Sequence, residues 1–289
     1  MKTGFANIFG LPNAGKSTLL NALIGEKLAI VSHKVQTTRH RIKGIITNSD
    51  YQLIISDTPG IIEPEYKLHE KMMLAVKGAM EDADLGILLV DANEDPDKSD
   101  KVFQSLRLKV PCIVVINKAD KSNEERINML KEYFSKKNYC KEAISISALL
   151  KSNIEELLAT VVKYLPEGDP FFGEDEMTDL PTRFFVSELI REKIFQLFKE
   201  EIPYHTAVVI TEYKEKSTLV KIVANIIVQR ESQKGILLGQ GGKSIKELGS
   251  LSRKDIEEFI GQKVFLELFI KVKPKWRDND FMLKEYGYT

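Results

Sequence analysis

Only two cysteines, Cys112 and Cys140, occur in the 289 residues, too few for a disulfide framework. Cys112 lies in an apolar run and reads as a small core residue, so a reducing cytoplasm is the default expectation. No apolar run approaches the length of a membrane span. A strand pattern begins within a few residues of Met1, which leaves no room for a cleaved leader. Internal repeats and low-complexity tracts are absent. Net charge is absent too, since 42 Lys+Arg face 42 Asp+Glu. That balance conceals an asymmetry. Residues 182–289 hold 19 Lys+Arg against 15 Asp+Glu, leaving 23 against 27 for residues 1–181. The basic surplus points any nucleic-acid surface to the C-terminal part. Hydrophobic content of 43% and charged content of 29% are ordinary for a globular protein, and the length favours two domains.

Against these absences stands one stretch, Gly10-Leu11-Pro12-Asn13-Ala14-Gly15-Lys16-Ser17. It fits the phosphate-loop pattern G-x-x-x-x-G-K-[ST]. Gly4 to Phe9 before it reads as a buried strand. Ser17 to Ile24 after it reads as a helix, with Leu19, Leu20, Leu23 and Ile24 on one face and Gly25 as a stop. A strand, a glycine-rich turn and a helix N-terminus direct several backbone N–H groups at one point, where a polyphosphate fits. Lys16 reaches the β- and γ-phosphates there, and the Ser17 hydroxyl holds Mg²⁺.

Downstream, Lys27 to Gln36 has no assignable pattern. Arg41–Thr47 and Tyr51–Ser56 read as an antiparallel hairpin turning at Asn48-Ser49-Asp50. Strands over Leu85–Val90, Cys112–Ile116 and Ala143–Ile146 alternate with helices over Lys67–Glu81, Asp97–Leu108, Glu124–Lys136 and Ile154–Tyr164. Such alternation, with strands apolar on both faces, indicates an α/β domain with a mostly parallel sheet covered by helices. Ligands bind beyond the carboxyl ends of such strands, where the phosphate loop, Asp57, Asn117 and Ser147 all fall.

Asp57-Thr58-Pro59-Gly60 ends the second hairpin strand. Asp57 can hold Mg²⁺ through water, and the side-chain-free Gly60 lets its amide approach the γ-phosphate. In Asn117-Lys118-Ala119-Asp120, the Asp120 carboxylate can accept two hydrogen bonds from guanine N1–H and its exocyclic amine. Adenine lacks that donor pair and would leave the carboxylate unpaired. Lys118 can lay its stem over the base, Asn117 can tie this loop to the phosphate loop, and Ser147-Ala148 offers a backbone N–H near guanine O6.

The order of these motifs resembles a translation-factor-type GTPase domain of the P-loop NTPase fold. Gln36-Thr37-Thr38-Arg39-His40-Arg41 is similar to the first switch of the Era family, in the group that includes the MnmE-like proteins. The resemblance implies GTP and GDP as ligands, held by Gly10 to Thr18, by Asp57-Thr58-Pro59-Gly60, and by Asn117, Lys118, Asp120, Ser147 and Ala148. It assigns Mg²⁺ to Ser17, Asp57 and, by position, Thr38 rather than Thr37. Attack of water on the γ-phosphate is then assisted by Lys16, Thr38 and the Gly60 amide. Ras-like enzymes place a water-orienting glutamine directly after D-x-x-G. Here Ile61 and Ile62 follow, so slow intrinsic hydrolysis is expected. In MnmE-like relatives an asparagine at the Asn13 position helps hold K⁺ against the phosphates. Asn13 has either that role or a purely loop-stabilising one.

Pro166 to Pro181 is acidic, rich in Pro and Gly and without periodicity. Residues 167–181 therefore read as a linker between domains at 1–166 and 182–289. The second domain reads as helix Thr182–Lys199, strands Ala207–Glu212 and Leu219–Val228, helices Gln233–Leu238 and Ser244–Phe259, and strand Lys263–Val272. This order matches an α+β type II KH domain. Gly239-Gln240-Gly241-Gly242, followed by Lys243, has the G-x-x-G form that clamps a short RNA backbone. Ile236, Leu237, Ile245 and Leu248 could line a base groove, although their helical spacing suits a core. The tail Lys273-Pro274-Lys275-Trp276-Arg277 offers charge, together with an aromatic that looks exposed and suited to stacking on a base.

Together with the KH loop, the resemblance spans the chain. It implies a GTPase that binds the 3′ end of 16S rRNA, assists 30S subunit assembly and associates peripherally with the cytoplasmic face of the membrane. Nothing in the sequence demands more than a monomer. It also implies a switch, in which GTP orders residues around 31–44 and 57–70 and alters the KH domain's disposition. Two other readings stay open. One is a GTPase whose partner is tRNA or a membrane protein. The other is a GTP sensor that does not hydrolyse, suggested by Ile61.

Overall fold

The computed structural model describes residues 1–32 and 34–288. The chain divides into two compact units, one of Met1–Pro64 and Met72–Asp179, the other of Glu65–Lys71 and Leu180–Thr289.

The first unit holds β1 (Lys2–Phe9), α1 (Lys16–Ile24), β2 (Ile42–Thr47) and β3 (Tyr51–Asp57). There follow α2 (Lys67–Glu81, its first turn counted in the second unit), β4 (Leu85–Asp91), α3 (Pro96–Leu106), β5 (Cys112–Asn117), α4 (Glu124–Ser135), β6 (Cys140–Ser145) and α5 (Ile154–Tyr164). The sheet order is β2-β3-β1-β4-β5-β6. Only β2 runs antiparallel, paired from Ile42↔Asp57 to Thr47↔Gln52 as the hairpin reading requires. β5 is buried along its whole length, which explains its unbroken apolar run. It shares a core with Phe103 of α3 and Leu130 and Phe134 of α4. α1 contacts β2, β3 and α5.

Helix and strand limits differ from the sequence reading for local reasons. The Asp95 carboxylate caps α3 by accepting from Asp97 N at 3.1 Å, so the helix starts at Pro96. It stops at Leu106 because Arg107 turns left-handed, with φ 49°. β6 begins at Cys140, three residues before the apolar pattern does, since the charged pair Lys141-Glu142 on this edge strand interrupts that pattern.

The stretch expected as a linker is bonded to the first unit as far as Asp179. Thr3 N donates to Pro166 O at 2.9 Å and Ile45 N to Met177 O at 2.9 Å. Thr178 Oγ1 donates to Lys43 O, and Lys43 pairs with Asp179, both at 2.8 Å. The fully buried Gln52 amide accepts from Phe171 N and Phe172 N and donates to Phe172 O. Residues 166–179 thus strap the edge of β2, giving its outward polar groups partners.

The second unit comprises α6 (Thr182–Leu197), β7 (Ala207–Glu215), β8 (Val220–Val228), α7 (Glu231–Leu238), α8 (Lys243–Ile260), β9 (Val264–Val272) and a terminal α9 (Asp280–Glu285). Its sheet runs β7-β8-β9, with β7 antiparallel and β9 parallel to β8. Ile190 and Ile194 of α6, Ile222 and Ile226 of β8, and Leu248 and Ile256 of α8 build its core. The order α-β-β-α-α-β is the one expected for a type II KH domain. Among the described residues no helix is long and apolar enough to cross a membrane.

Candidate active site and nucleic-acid interface

The phosphate loop leaves β1 and enters α1, while Asp57, Asp91 and Asn117 end β3, β4 and β5. Gly15 takes φ 100°, and a Cβ there would come within 2.3 Å of Asn117 Nδ2. Only glycine permits both that turn and that approach. Asn117 repeats the tie expected of it. Its Nδ2 donates to Ala14 O at 2.8 Å, and its Oδ1 accepts from Ala148 N at 3.0 Å.

Lys16 is buried and donates to the carbonyls of Gly10 and Leu11 at 3.1 and 2.9 Å. Burial pulls its pKa down to about 8, while the Asp57 charge pulls the other way. Asp57 is fully buried, and burial raises its pKa against the opposing pull of Lys16, Ser17 and Thr38. Its Oδ2 accepts from Ser17 Oγ at 2.6 Å and Thr38 Oγ1 at 3.0 Å, and those two hydroxyls lie 2.8 Å apart. Its Oδ1 is buried without a hydrogen-bond partner. A buried carboxylate with one unspent oxygen beside two hydroxyls is an all-oxygen donor set, which fits Mg²⁺. The three residues assigned to the metal are therefore brought together.

A cavity of about 350 Å³ runs from this cluster to Asn117–Lys121. Pro12, Asn13, Gly15 to Thr18, Thr37, Thr38, Gly60, Lys118 and Asp120 all line it. Gly10, Leu11, Ala14, Asp57, Thr58, Pro59, Ser147 and Ala148 are not part of its lining, although several are bonded to the same loops. Thr58 Oγ1 donates to Ile8 O at 2.6 Å. Gly60 sits against Pro12, whose ring a Cβ would meet at 2.9 Å. Asp120 accepts from Ser147 Oγ at 2.6 Å, and Lys118 pairs with Asp91 at 2.6 Å. One detail departs from the sequence expectation. The Ala148 N–H is engaged by Asn117, and the Ser147 N–H donates to Ser152 O at 3.2 Å. Sequence reasoning gave no role at the site to Lys34, Gln36, Lys121 and Leu149, which also line the wall. The first two lie in the stretch without periodicity, and Leu149 carries no polar signal.

In the second unit α7 ends at Gly239, with φ 67°, and α8 begins at Lys243. Gly241 and Gly242 are left-handed and open to solvent, with nothing within 4 Å of an added Cβ. Gly239 is tight, since a Cβ there would meet Ser244 Oγ at 2.2 Å. Ile236 is half exposed beside this loop, whereas Leu237 and Leu248 are core. Lys243, Lys273 and Lys275 are exposed. Arg277 lies over the Tyr66 ring at 4.1 Å.

Trp276 corrects the sequence reading. It is 0% exposed. Its Nε1 donates to His205 O at 3.1 Å, and its ring stacks on Tyr288 and meets Tyr286 edge-on. His205, Tyr286 and Tyr288 pack around it, so it offers no face to a base and acts as the tail's anchor.

Residues 5–118 match the family described as 50S ribosome-binding GTPase, and residues 201–277 match the KH domain family. The GTPase Era of Clostridium kluyveri is 42% identical, covering 100% of this chain and 99% of the relative. That of Clostridium novyi is 43% identical, covering 99% of each. Two solved structures superpose with a TM-score of 0.95 at 40% identity. One is a tyrosine-to-alanine variant of Aquifex aeolicus Era bound to GDP·AlF₄⁻, covering 100% of both chains. The other is Era in complex with MgGDPNP and nucleotides 1506–1542 of 16S ribosomal RNA, covering 100% of this chain and 99% of that one. With the motif order, the phosphate-loop geometry and the KH unit in agreement along its whole length, the chain belongs to the Era family of GTPases.

Proposed function

We propose that this chain hydrolyses GTP in a Mg²⁺-dependent reaction, binds the 3′ end of 16S rRNA through its KH unit, and thereby assists 30S subunit assembly. The observation that carries the chemistry is the Ser17–Thr38–Asp57 cluster with its one unspent buried oxygen. When bound, Mg²⁺ supplies charge neutralisation at the phosphates. Ser17, Thr38 and Asp57 hold it, Lys16 and the Gly60 amide meet the γ-phosphate, and Asp120 selects guanine. Among the described residues of the wall, no side chain has the placement and basicity of a general base. The G-x-x-G loop with Lys243, and the exposed Lys273 and Lys275, supply the RNA contacts, with Arg277 at their edge.

Finer points belong to the same proposal. Asn13 is exposed on the cavity wall in a left-handed turn, with φ 64°, and its amide oxygen suits K⁺ beside the phosphates. The protein works as a monomer in the cytoplasm, with peripheral attachment to the inner membrane face. Turnover of GTP against ATP, and binding of a labelled 16S 3′-end oligonucleotide against a scrambled one, tests the reading. Selective hydrolysis and selective binding are expected. Equal binding of both oligonucleotides would instead favour a different RNA or a protein partner for the KH unit.

A further inference from the structure

The position after D-x-x-G offers no group to orient water. Ile61 follows D-x-x-G, and its side chain packs on the core around Phe9 and Val76 rather than on the cavity. The first switch segment supplies an alternative. Lys34 N donates to Ser32 Oγ at 3.1 Å, and Thr37 Oγ1 donates to Lys34 O at 2.6 Å. Thr38 is fixed to Asp57 and Ser17. Between these fixed points Gln36 takes φ 59°, a left-handed conformation uncommon for a residue other than glycine, asparagine or aspartate. It lines the same cavity as Gly60, Thr38 and Asn13. Outlying backbone of this kind persists where the surroundings enforce it and clusters at reacting sites. Gln36 thus places an amide side chain on the cavity wall two residues before the metal-holding Thr38.

We propose that Gln36 orients the attacking water, taking the part that Ile61 cannot. The inference rests on the GTPase reading above. Its carbonyl accepts a hydrogen bond from the water and its NH₂ donates to a γ-phosphate oxygen, which sets the water in line with the bond to be broken. The water oxygen bonds to the γ-phosphorus. The bridging P–O bond breaks, its electron pair leaves with GDP, and the water's proton passes to a phosphate oxygen. Glutamine neither gains nor loses a proton.

The test compares Gln36→Gly, Gln36→Ala and Gln36→Asn with the unaltered protein, in full-length form. Glycine accepts the left-handed backbone without strain while removing the whole side chain. GDP binding in each variant reports folding. Expected are a fall in kcat on the order of 10²-fold in the glycine and alanine variants and an equal loss of GDP·AlF₄⁻ complex formation. GDPNP and GDP affinities should stay within about twofold. Asparagine, which tolerates the turn but places its amide short, should fall between. Turnover of Gln36→Gly within about threefold of the parent would overturn the proposal, because the side chain would then be dispensable. GDPNP affinity falling in step with kcat would also overturn it, since the residue would then serve binding alone. A parent that binds GTP without releasing GDP and phosphate would sink the GTPase reading, and the role of Gln36 with it.

Discussion

Trp276 separates two accounts of the basic tail. As an anchor it is wholly buried, donates to His205 O and packs on Tyr286 and Tyr288. Trp276→Phe keeps most of the ring and removes the indole N–H, leaving the His205 carbonyl without that donor. The loss should be about 1–2 kcal/mol. Trp276→Ala also opens a cavity, for about 3–5 kcal/mol. For a domain of about 100 residues, 1 kcal/mol shifts Tm by roughly 4–8 °C. The phenylalanine variant should therefore lose about 4–15 °C in the transition of the second unit, and the alanine variant at least about 12 °C. Calorimetry with saturating GDP, which holds up the first unit, isolates that transition. Fluorescence anisotropy with the 16S 3′-end oligonucleotide, well below Tm, should show Trp276→Phe within about twofold of the parent. If Trp276→Phe left Tm unchanged and weakened RNA binding about tenfold, the anchoring argument would be refuted and base stacking restored.

Other outcomes follow from the same geometry. Asp57→Asn removes the buried charge that faces the metal, so GTP turnover should fall by at least about tenfold and stop responding to added Mg²⁺; steady-state rates across a Mg²⁺ titration check this. Lys16 has its pKa lowered from 10.5 to about 8 in the nucleotide-free protein. Phosphates favour its charged form, so GDP affinity should be flat below pH 8 and decline above it, by up to about tenfold per pH unit. Calorimetric titration between pH 7 and 9 reads this, and affinity rising with pH would contradict it. If Asn13 holds K⁺, exchanging K⁺ for Na⁺ at fixed ionic strength should slow turnover, and Asn13→Ala should erase the difference. Lys273→Ala with Lys275→Ala should make the slope of log affinity against log salt shallower by about 1.4 for single-stranded RNA, leaving sequence preference intact.

The nucleotide site was largely readable because its parts are strand ends. Asp57, Asn117 and the phosphate loop each follow an apolar run, and a parallel sheet brings such ends together. The tie from Asn117 to Ala14 and the meeting of Ser17, Thr38 and Asp57 were legible for that reason. What escaped has no local signal. The strap over 166–179 binds through its backbone and the buried Gln52, which no periodicity records. Trp276 looks like a surface aromatic among cations until His205, 71 residues earlier, and the terminal tyrosines enclose it. Gln36 sits in a turn whose importance lies in its φ and in the cavity it borders.

The most direct measurement is GTP turnover in Mg²⁺ and K⁺ buffer with and without a single-stranded oligonucleotide of the 16S 3′ end, against a scrambled control. Selective stimulation by the authentic sequence is expected, because an RNA-coupled GTPase must register the KH ligand at the nucleotide site. Turnover unaffected by either oligonucleotide, with no selective binding, would contradict that coupling and leave a GTPase whose second unit serves another partner.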